Sequence, residues 1–392
     1  MKYPIADSLA RVHPPPITEV AGWVSERRNP LLPLIDLCQA VPAYPPAREL
    51  IEHLKELLDD PAIARYTPDE GLPEVRAAIC ERYRILYAAE IAPDQLCLTV
   101  GASQAFWLAM LGLCRPGDEV IVQEPAYFDH PMALQILGIR MVAAPFVPDN
   151  HGIPDPASIA SLISPKTRAI LIVSPSNPTG VVTPAEVIRE LHAVARRNGI
   201  ALVLDETYAD FIPANSRPHS LFTSPDWDEH FIQIMSFGKT YALTGFRAGM
   251  LAASAEFIRQ VLKAQDTMTV CQPRIAQLAV KYGAERLEGW VKANCTMMGI
   301  RHDLFRKLFE QPGNPFQLVT SGAFFAWVRH PFTGLAGREV ARMLVQEKGI
   351  LTLPGEVFGP SLGGYLRLAF GNITNEVIPE AVERFKGVSI SR

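Results

Sequence analysis

The segment best able to do chemistry contains one lysine between a serine and an arginine. Ser236, Lys239 and Arg247 follow a strand-like apolar run and stand among small residues, which let the backbone pass close to a ligand. Burial lowers the pKa of a lysine and makes its amine a nucleophile for a carbonyl carbon. From this segment alone, a solvated loop lysine is the alternative. A P-loop ATPase is excluded, because that motif requires glycine where Gln233 stands.

Asp205 and Tyr208 come after a second apolar run, Ala201–Leu204. The carboxyl ends of parallel strands form the ligand crevice of an open sheet. A carboxylate that is buried there without a partner is costly, so Asp205 requires a cation. No His or Cys stands nearby in sequence, which favours a protonated ring nitrogen or a basic side chain over a metal ion.

Three further segments also follow apolar runs, and each has a plainer explanation. Asn177 is held near two prolines, but a turn would also account for this pattern. The stretch 101–104 begins a predicted helix whose free amides would bind phosphate, although many strand-to-helix turns share its small residues. Tyr127 either presents its ring to an aromatic ligand or lies in the core.

The elements that must position these residues alternate along the chain. Strand-like runs separated by helical patterns predict crossover units and a mostly parallel sheet. The helix before the fifth strand is expected to have Thr183 as its N-cap, Pro184 at its first position and Glu186 completing a capping box. The predicted strands are Leu96–Val100, Glu119–Gln123, Arg140–Ala144, Arg168–Val173, Ala201–Leu204, Ile232–Phe237 and Met250–Ala253.

The C-terminal part predicts a second, smaller α+β domain. One long helical pattern, Arg274–Glu310, ends shortly before Pro312. The strands expected after it are Phe316–Val328, Ile350–Leu353 and Tyr365–Phe370, with helices near Gly337–Lys348 and Asn375–Phe385.

Taken in order, the motifs resemble the class I/II aminotransferases of fold type I, the aspartate aminotransferase-like enzymes that use pyridoxal 5′-phosphate (PLP). The resemblance covers about Leu37 to Gly371. It implies an α/β fold: a mostly parallel seven-stranded sheet sandwiched by helices in a large PLP-binding domain, and a smaller α+β domain built from the C-terminal part and the N-terminal segment. The expected ranges are 1–45 for the N-terminal arm and part of the small domain, 46–285 for the large domain and 286–392 for the small C-terminal domain.

The resemblance also implies the residues that hold the cofactor. Lys239 would form the internal Schiff base and later move a proton as base and acid. Asp205 would pair with the pyridinium nitrogen, and Tyr208 would donate to the ring hydroxyl. The other implied cofactor contacts are Asn177 at the same ring oxygen, Tyr127 against the ring, and Ser103, Ser236, Arg247 and the amides near Ala102 and Gln104 at the phosphate.

Three more positions concern the substrate and the assembly. Arg367, in Tyr365–Gly371, matches the arginine that binds the substrate α-carboxylate, which a guanidinium can contact with two parallel hydrogen bonds. Tyr66 matches a tyrosine that reaches the partner subunit's phosphate, so a homodimer is implied. Ala40 stands where the family usually has glycine near the substrate, so its methyl group narrows the site or shifts the N-terminal segment. No second arginine for a side-chain carboxylate is evident, so aspartate is not assumed as the substrate.

Composition excludes other classes of protein. The net charge of −4 leaves no basic excess for nucleic acid, and no run approaches the ~20 apolar residues that span a bilayer. The N-terminal residues do not resemble a targeting peptide. Together with these exclusions, the resemblance implies a cytoplasmic PLP enzyme without a metal ion, which moves an amino group from an L-amino acid to a 2-oxo acid.

Two alternatives stay open at this stage. A PLP-dependent C–S β-lyase or cyclising synthase would use the same Lys239, Asp205 and Arg367. A non-catalytic PLP-sensing regulator would need an N-terminal DNA-binding extension, whereas only a short, non-basic segment precedes the family match.

Overall fold

The computed structural model of the chain describes residues 3–213 and 216–388. No helix within these ranges is both long and apolar enough to cross a bilayer. The strands are β1 Ile35–Asp36, β2 Leu96–Val100, β3 Glu119–Gln123, β4 Arg140–Ala144, β5 Thr167–Val173, β6 Ala201–Asp205, β7 Phe231–Ser236, β8 Ala248–Ala252, β9 Gln317–Gly322, β10 Phe325–Arg329, β11 Ile350–Leu351, β12 Leu353–Pro354 and β13 Tyr365–Leu368. The helices are α1 Asp7–Ala10, α2 Pro16–Gly22, α3 Arg48–Leu57, α4 Pro73–Leu86, α5 Gly101–Leu113, α6 Asp129–Ile136, α7 Pro156–Ser161, α8 Ala185–Arg197, α9 Phe237–Thr240, α10 Ala255–Thr269, α11 Arg274–Arg286, α12 Glu288–Phe309, α13 Gly337–Met343 and α14 Ile378–Lys386.

A seven-stranded sheet in the order β2-β8-β7-β6-β5-β3-β4 lies at the centre of the fold. Strand β8 is antiparallel to both of its neighbours, and the remaining neighbouring pairs are parallel. The predicted α/β class with a mostly parallel sheet is therefore confirmed. Because β2 and β7 both oppose β8, they share one direction, and the carboxyl ends of β2, β3, β5, β6 and β7 meet at one edge of the sheet.

Helices cover both faces of this sheet. In β6, Leu202 and Leu204 belong to one buried apolar cluster, whereas Ala201 and Val203 belong to another. This alternation follows from the two-residue period of a strand. Helices α4, α8 and α11 contribute to the first cluster, and α5 and α10 contribute to the second. The strands are apolar on both faces, as expected for a sheet between two helical layers.

A smaller antiparallel sheet, β12-β13-β10-β9, lies in the C-terminal part. The N-terminal segment joins this part, because β1 pairs in parallel with β11 and places Ile35 opposite Ile350. Helices α12, α13 and α14 pack in the same apolar cluster as this sheet. The expected α+β unit from both ends of the chain is present, while the exact boundaries at 45 and 285 stay a prediction.

Three predicted elements of the C-terminal part are wrong in detail. The single helix predicted for 274–310 is two helices, because Leu287 has a non-helical backbone (φ −107°, ψ 16°) and is 1% exposed in the core of the large sheet. The single strand predicted for 316–328 is a hairpin that turns at Ala323, with a φ of 47°. The strand predicted for 350–353 divides between two sheets, because β11 pairs with β1 and β12 pairs with β13.

The predicted cap of α8 is also wrong. The helix begins at Ala185, and Pro184 precedes it without a side-chain cap. The amide of Thr183 donates to Ser174 Oγ at 3.0 Å, and Glu186 accepts from Arg189 rather than completing a capping box. Thr183 therefore ties the start of α8 to the segment that follows β5.

Candidate active site

A cavity of about 180 Å³ opens at the edge where the carboxyl ends of the strands meet. Most residues predicted for the site line this cavity, although Gln104 and Tyr66 do not. The predicted residues in its lining are Ala40, Ala102, Ser103, Tyr127, Asn177, Asp205, Tyr208, Ser236, Lys239, Arg247 and Arg367.

The topology of the sheet explains why distant parts of the chain meet here. Asp205 is the last residue of β6 and lies opposite Val173 of β5 and Ile234 of β7. Asn177 follows the end of β5, and Ser236 ends β7, so both emerge beside Asp205. Directly after Ser236 the chain turns into α9, and this turn keeps Lys239 at the same edge of the sheet.

Lys239 has an amine without a carboxylate partner in the described part of the chain. Its Nζ donates a hydrogen bond to the carbonyl oxygen of Ala40 at 2.5 Å. Burial first, and then the charges of Arg247 and Arg367, lower the pKa of Lys239 to about 8. A larger fraction of this side chain is therefore the uncharged, nucleophilic amine near neutral pH than in an ordinary lysine.

This pKa predicts how the amine of Lys239 reacts in the cofactor-free protein. Acylation of its Nζ should rise with pH and reach half of its maximal rate near pH 8, because only the deprotonated amine reacts. Pulse labelling at a series of pH values, followed by peptide mass spectrometry, measures this midpoint, with the other lysines in the same digest as the reference. A midpoint near 10.5, the ordinary value for lysine, would contradict the assigned environment.

Asp205 presents a buried carboxylate to the cavity, and a histidine lies beside it. Its Oδ2 is 3.3 Å from His130 Nε2, and its Oδ1 accepts from the amide of Thr207 at 3.0 Å. His130 is 3% exposed, and its Nδ1 has no partner in the described part of the chain. The carboxylate of Asp205 therefore faces the cavity, where a cationic group could pair with it.

Arg367 is a buried cation that lacks an anionic partner within residues 3–213 and 216–388. It is 1% exposed, its Nη1 donates to Asn177 Oδ1 at 2.9 Å, and its Nη2 donates to the carbonyl of Cys38. The rings of Phe325 and Phe358 lie 5.3 and 5.4 Å from its guanidinium carbon. Burial lowers the pKa of Arg367 from its ordinary value. A buried guanidinium with only neutral partners is costly, so the site requires an anionic ligand.

The start of α5 and the loop after α9 form one end of the cavity. Gly101, with a φ of 75°, begins α5 and leaves space for the guanidinium of Arg247, which a Cβ at position 101 would overlap. A Cβ on Gly249 would in turn overlap the backbone of Gly101. Ala102 and Ser103 lie in the first turn of this helix of 13 residues. Free amides, a hydroxyl and a guanidinium are the donor set that suits a phosphate dianion.

The side chain of Gln104 does not belong to this donor set. Its Oε1 accepts from the amide of Val100 at 2.6 Å, and its Nε2 donates to Thr269 Oγ1 at 3.2 Å. The side chain of Gln104 thus joins the end of β2 to the end of α10. The prediction for Gln104 is limited to its backbone amide.

Two tyrosines lie on other sides of the cavity. Tyr208 is buried, its ring meets that of Phe325 edge to face at 5.1 Å, and burial raises the pKa of its hydroxyl, which keeps the hydroxyl a proton donor. The hydroxyl of Tyr127 donates to Asp129 Oδ2 at 2.5 Å, and its ring meets His130 edge to face at 5.2 Å. Tyr127 is therefore held at the cavity from two directions and is not a wholly buried core residue.

A buried ion pair joins the segments that carry Tyr208 and Lys239. The carboxylate of Asp210 accepts from the Arg82 guanidinium and from Thr240 Oγ1, the latter at 2.6 Å. Burial lowers the pKa of Arg82, but the charge of Asp210 outweighs this effect and raises it. Since Thr240 follows Lys239 directly, this contact fixes α9 against the turn after β6.

The ion pair predicts a loss of stability for Asp210→Asn. This change leaves the largely buried Arg82 guanidinium without a counter-charge and should lower the free energy of unfolding by about 3 kcal/mol. The exposed pair Glu186–Arg189 supplies the matched control, because Glu186→Gln should cost less than about 1 kcal/mol. Urea unfolding of both variants makes the comparison, and equal losses would contradict a structural role for the buried pair.

Tyr66 lies outside the cavity of its own chain. Its side chain is 78% exposed, and Arg274 Nη2 donates to its carbonyl oxygen at 3.2 Å. Within the described residues, the structure shows no contact between the Tyr66 side chain and the cavity of its own chain. Its predicted contact with a partner subunit stays a prediction.

Sequence reasoning missed several residues that line the cavity. His130 and Asp129 follow Tyr127 at the start of α6, and their proximity to Tyr127 in sequence was the available signal. Trp107 projects from α5, one turn after Ser103. Ile17 lies on α2, which brings it to the cavity.

Comparisons with known proteins agree with this fold. The fold is that of aspartate aminotransferases: a mutant aspartate aminotransferase of Thermus thermophilus superposes with a TM-score of 0.89 at 26% identity, over 98% of this chain and 99% of the other. An aromatic aminotransferase of Arabidopsis thaliana is 29% identical over 95% of this chain and 93% of its own length. An aspartate aminotransferase of Pyrococcus abyssi is 28% identical over 98% of both chains.

The class defined by this fold and cavity is that of the fold-type-I aminotransferases. Residues 33–385 match the family model of aminotransferase class I and II, and the chain belongs to this family. It is a transaminase, and the predicted enzyme class is confirmed. The β-lyase, cyclising synthase and regulator alternatives are not favoured.

Proposed function

We propose that the cavity binds PLP and that the enzyme transfers the amino group of an L-amino acid to a 2-oxo acid. The observation that carries this proposal is the grouping of Lys239, Arg247 and Arg367, three cationic side chains without carboxylate partners in the described chain, around the carboxylate of Asp205. Such a set fits a ligand with a carbonyl, a phosphate and a protonated ring nitrogen, together with a substrate carboxylate.

The donor set divides between the two ends of PLP. Arg247, Ser103, Ser236 and the amides at the start of α5 would hold the phosphate, since Gly101 and Gly249 give the backbone and the guanidinium their close approach. Asp205 would keep the ring nitrogen protonated, and His130 would support the charge and position of its carboxylate. Tyr208 and Asn177 would donate to the ring hydroxyl, and Tyr127 would contact the ring. PLP, when bound, supplies the electron sink that makes the substrate Cα–H acidic.

Lys239 would serve two successive tasks. Its amine would hold the cofactor, and when it is free of that bond its Nζ would take a proton from the substrate Cα as a general base. The lowered pKa of Lys239 suits this role, because the base must be uncharged near neutral pH. The carbonyl of Ala40, which accepts from Nζ at 2.5 Å, keeps the freed amine at the cavity.

Arg367 would hold the substrate α-carboxylate. Its Nη1 is oriented by Asn177 and its Nη2 by the carbonyl of Cys38, while its Nε has no partner in the described chain. The buried guanidinium is thereby fixed before the substrate arrives, which lowers the entropic cost of binding. A carboxylate there would also neutralise the cation and compensate for its burial.

We further propose a cytoplasmic homodimer in which Tyr66 of one protomer reaches the phosphate site of the other. The support is the exposure of Tyr66 together with its position outside its own cavity. The protein should elute as a dimer by gel filtration with light scattering, and Tyr66→Phe should weaken PLP retention without loss of the dimer. An active monomer would contradict this assembly.

A half-reaction screen tests the proposed function. The PLP-loaded protein is mixed with each of the common L-amino acids, and conversion of the bound cofactor to its pyridoxamine form is followed by absorbance. At least one amino acid should give full conversion, which a 2-oxo acid then reverses. Release of ammonia without any need for an acceptor would indicate a lyase instead.

A further inference from the structure

Asp129 places a negative charge at the cavity that the proposed chemistry does not use. Its side chain lines the cavity, and its Oδ2 accepts from the hydroxyl of Tyr127 at 2.5 Å. Within the described chain, the carboxylate of Asp129 has no lysine, arginine or histidine nitrogen at ion-pair distance. The carboxylate of Asp205, by contrast, lies 3.3 Å from Nε2 of His130. Asp129 is therefore an unneutralised carboxylate at the wall of the site.

The cations of the cavity all have another partner in the proposed function. Arg367 binds the α-carboxylate, Arg247 binds the phosphate, and Lys239 holds the cofactor or moves the proton. The described lining contains no further Lys or Arg. For a second carboxylate on the substrate, the described lining of this chain thus offers the carboxylate of Asp129 and no Lys or Arg that is free of another task.

The rest of the lining is mainly apolar. Ile17 from α2, Trp107 from α5 and Phe128 before α6 lie at the cavity with the methyl group of Ala40. The segment that contains Ala40 runs between Arg367 and Lys239, because the carbonyl of Cys38 accepts from Arg367 and that of Ala40 accepts from Lys239. A substrate with its α-carboxylate at Arg367 and its Cα near Lys239 would lie beside this segment, and the lining there that is free of other tasks is mainly apolar.

We propose that the enzyme takes amino acids with an apolar or aromatic side chain, and that Asp129 is a specificity residue that disfavours a second carboxylate. The proposal rests on the proposed function, since it takes Arg367 as the residue that holds the substrate α-carboxylate and Lys239 as the base at the substrate Cα. Two carboxylates within about 6 Å in a partly buried site repel strongly enough to weaken binding at least tenfold. Burial of an apolar side chain against the remaining wall favours the opposite class of substrate.

Equilibrium binding of two inhibitors to the PLP-loaded protein tests this proposal without relying on turnover. Maleate carries two carboxylates, and 3-phenylpropanoate carries one carboxylate and an aromatic ring. Titration calorimetry should show that 3-phenylpropanoate binds at least about tenfold more tightly than maleate. The measurement uses the assembled protein, so any residue that a second protomer adds is included.

Asp129→Asn isolates the charge. An asparagine Oδ1 can still accept from the Tyr127 hydroxyl, so the variant retains this contact and loses only the negative charge. The ratio of the two dissociation constants should shift about tenfold towards maleate. Asp149→Asn is the matched control, because Asp149 is exposed and does not line the cavity, and it should leave the ratio unchanged.

The possible results distinguish a failure of this proposal from a failure of the proposed aminotransferase function. Maleate binding as tightly as 3-phenylpropanoate to the unmodified protein, or an unchanged ratio in Asp129→Asn, would overturn the role of Asp129. Tighter binding of 6-aminohexanoate than of 3-phenylpropanoate would overturn the apolar class. Failure of the proposed function would instead be visible before any titration, as a protein that does not retain PLP.

Discussion

Lys239→Ala is expected to lower the rate of amino-group transfer by at least about 10³-fold, because one amine both holds the cofactor and moves the proton at the substrate Cα. The amine lies in the cavity beside Ala40, with a pKa lowered to about 8. Among the described residues that line the cavity, His130 is the one other lysine or histidine, and its ring faces Asp205. A replacement base for the proton is therefore lacking.

Single-turnover absorbance measurements on the reconstituted variant would show this loss. Lys239→Arg keeps a cation in the cavity but supplies no nucleophilic amine, so it should be as inactive as the alanine variant. Lys166→Ala removes an exposed lysine outside the cavity and should leave the rate unchanged. A Lys239→Ala protein with a rate within tenfold of the unmodified protein would contradict the assigned role.

Arg367→Lys is expected to lower kcat/KM by about 10²-fold, mainly through a higher KM. Lysine keeps the charge but loses the planar fork, and a hydrogen bond to a charged group contributes about 1.5–3 kcal/mol. The fork is held by Asn177 and Cys38, which a lysine cannot contact at the same time with the same geometry. Arg367→Ala should lower kcat/KM further, because it removes the cation altogether.

Two controls distinguish substrate binding from general damage. The affinity for PLP should change much less than kcat/KM in Arg367→Lys, since Arg367 contacts neither the phosphate donors nor Asp205 and touches the predicted cofactor contacts only at Asn177. Arg329→Lys, an exposed change on the neighbouring strand β10, should leave kcat/KM as it is. Loss of the cofactor from Arg367→Lys, or a change in kcat with KM constant, would argue against a carboxylate-binding role.

The sequence was most informative where chemistry coincides with strand ends. Asn177, Asp205 and Ser236 could be placed together because parallel strands deliver their carboxyl ends to one edge, and this holds whatever the details of the helices. Lys239 and Arg247 follow from the same edge, since the chain turns back directly after β7. The α/β class was predictable because strand-like runs alternate with helical patterns along the chain, which implies parallel crossover units.

Features that depend on tertiary contacts could not be predicted from the sequence. Ile17 reaches the cavity only because the N-terminal segment joins the C-terminal part through β1 and β11. Gln104 stands in a phosphate-binding motif, yet its side chain turns to Val100 and Thr269, which no pattern of residue types reveals. Leu287 ends a helix because its side chain is needed in the core, against the local helical pattern.

The central claim is that one amine, the Nζ of Lys239, bonds to the aldehyde carbon of PLP. The most direct test is reduction of the PLP-loaded protein with borohydride, followed by digestion and peptide mass spectrometry. A phosphopyridoxyl group is expected on the peptide that contains Lys239, at that residue alone. A label on another lysine, or a protein that stays colourless and unlabelled after incubation with PLP, would contradict it.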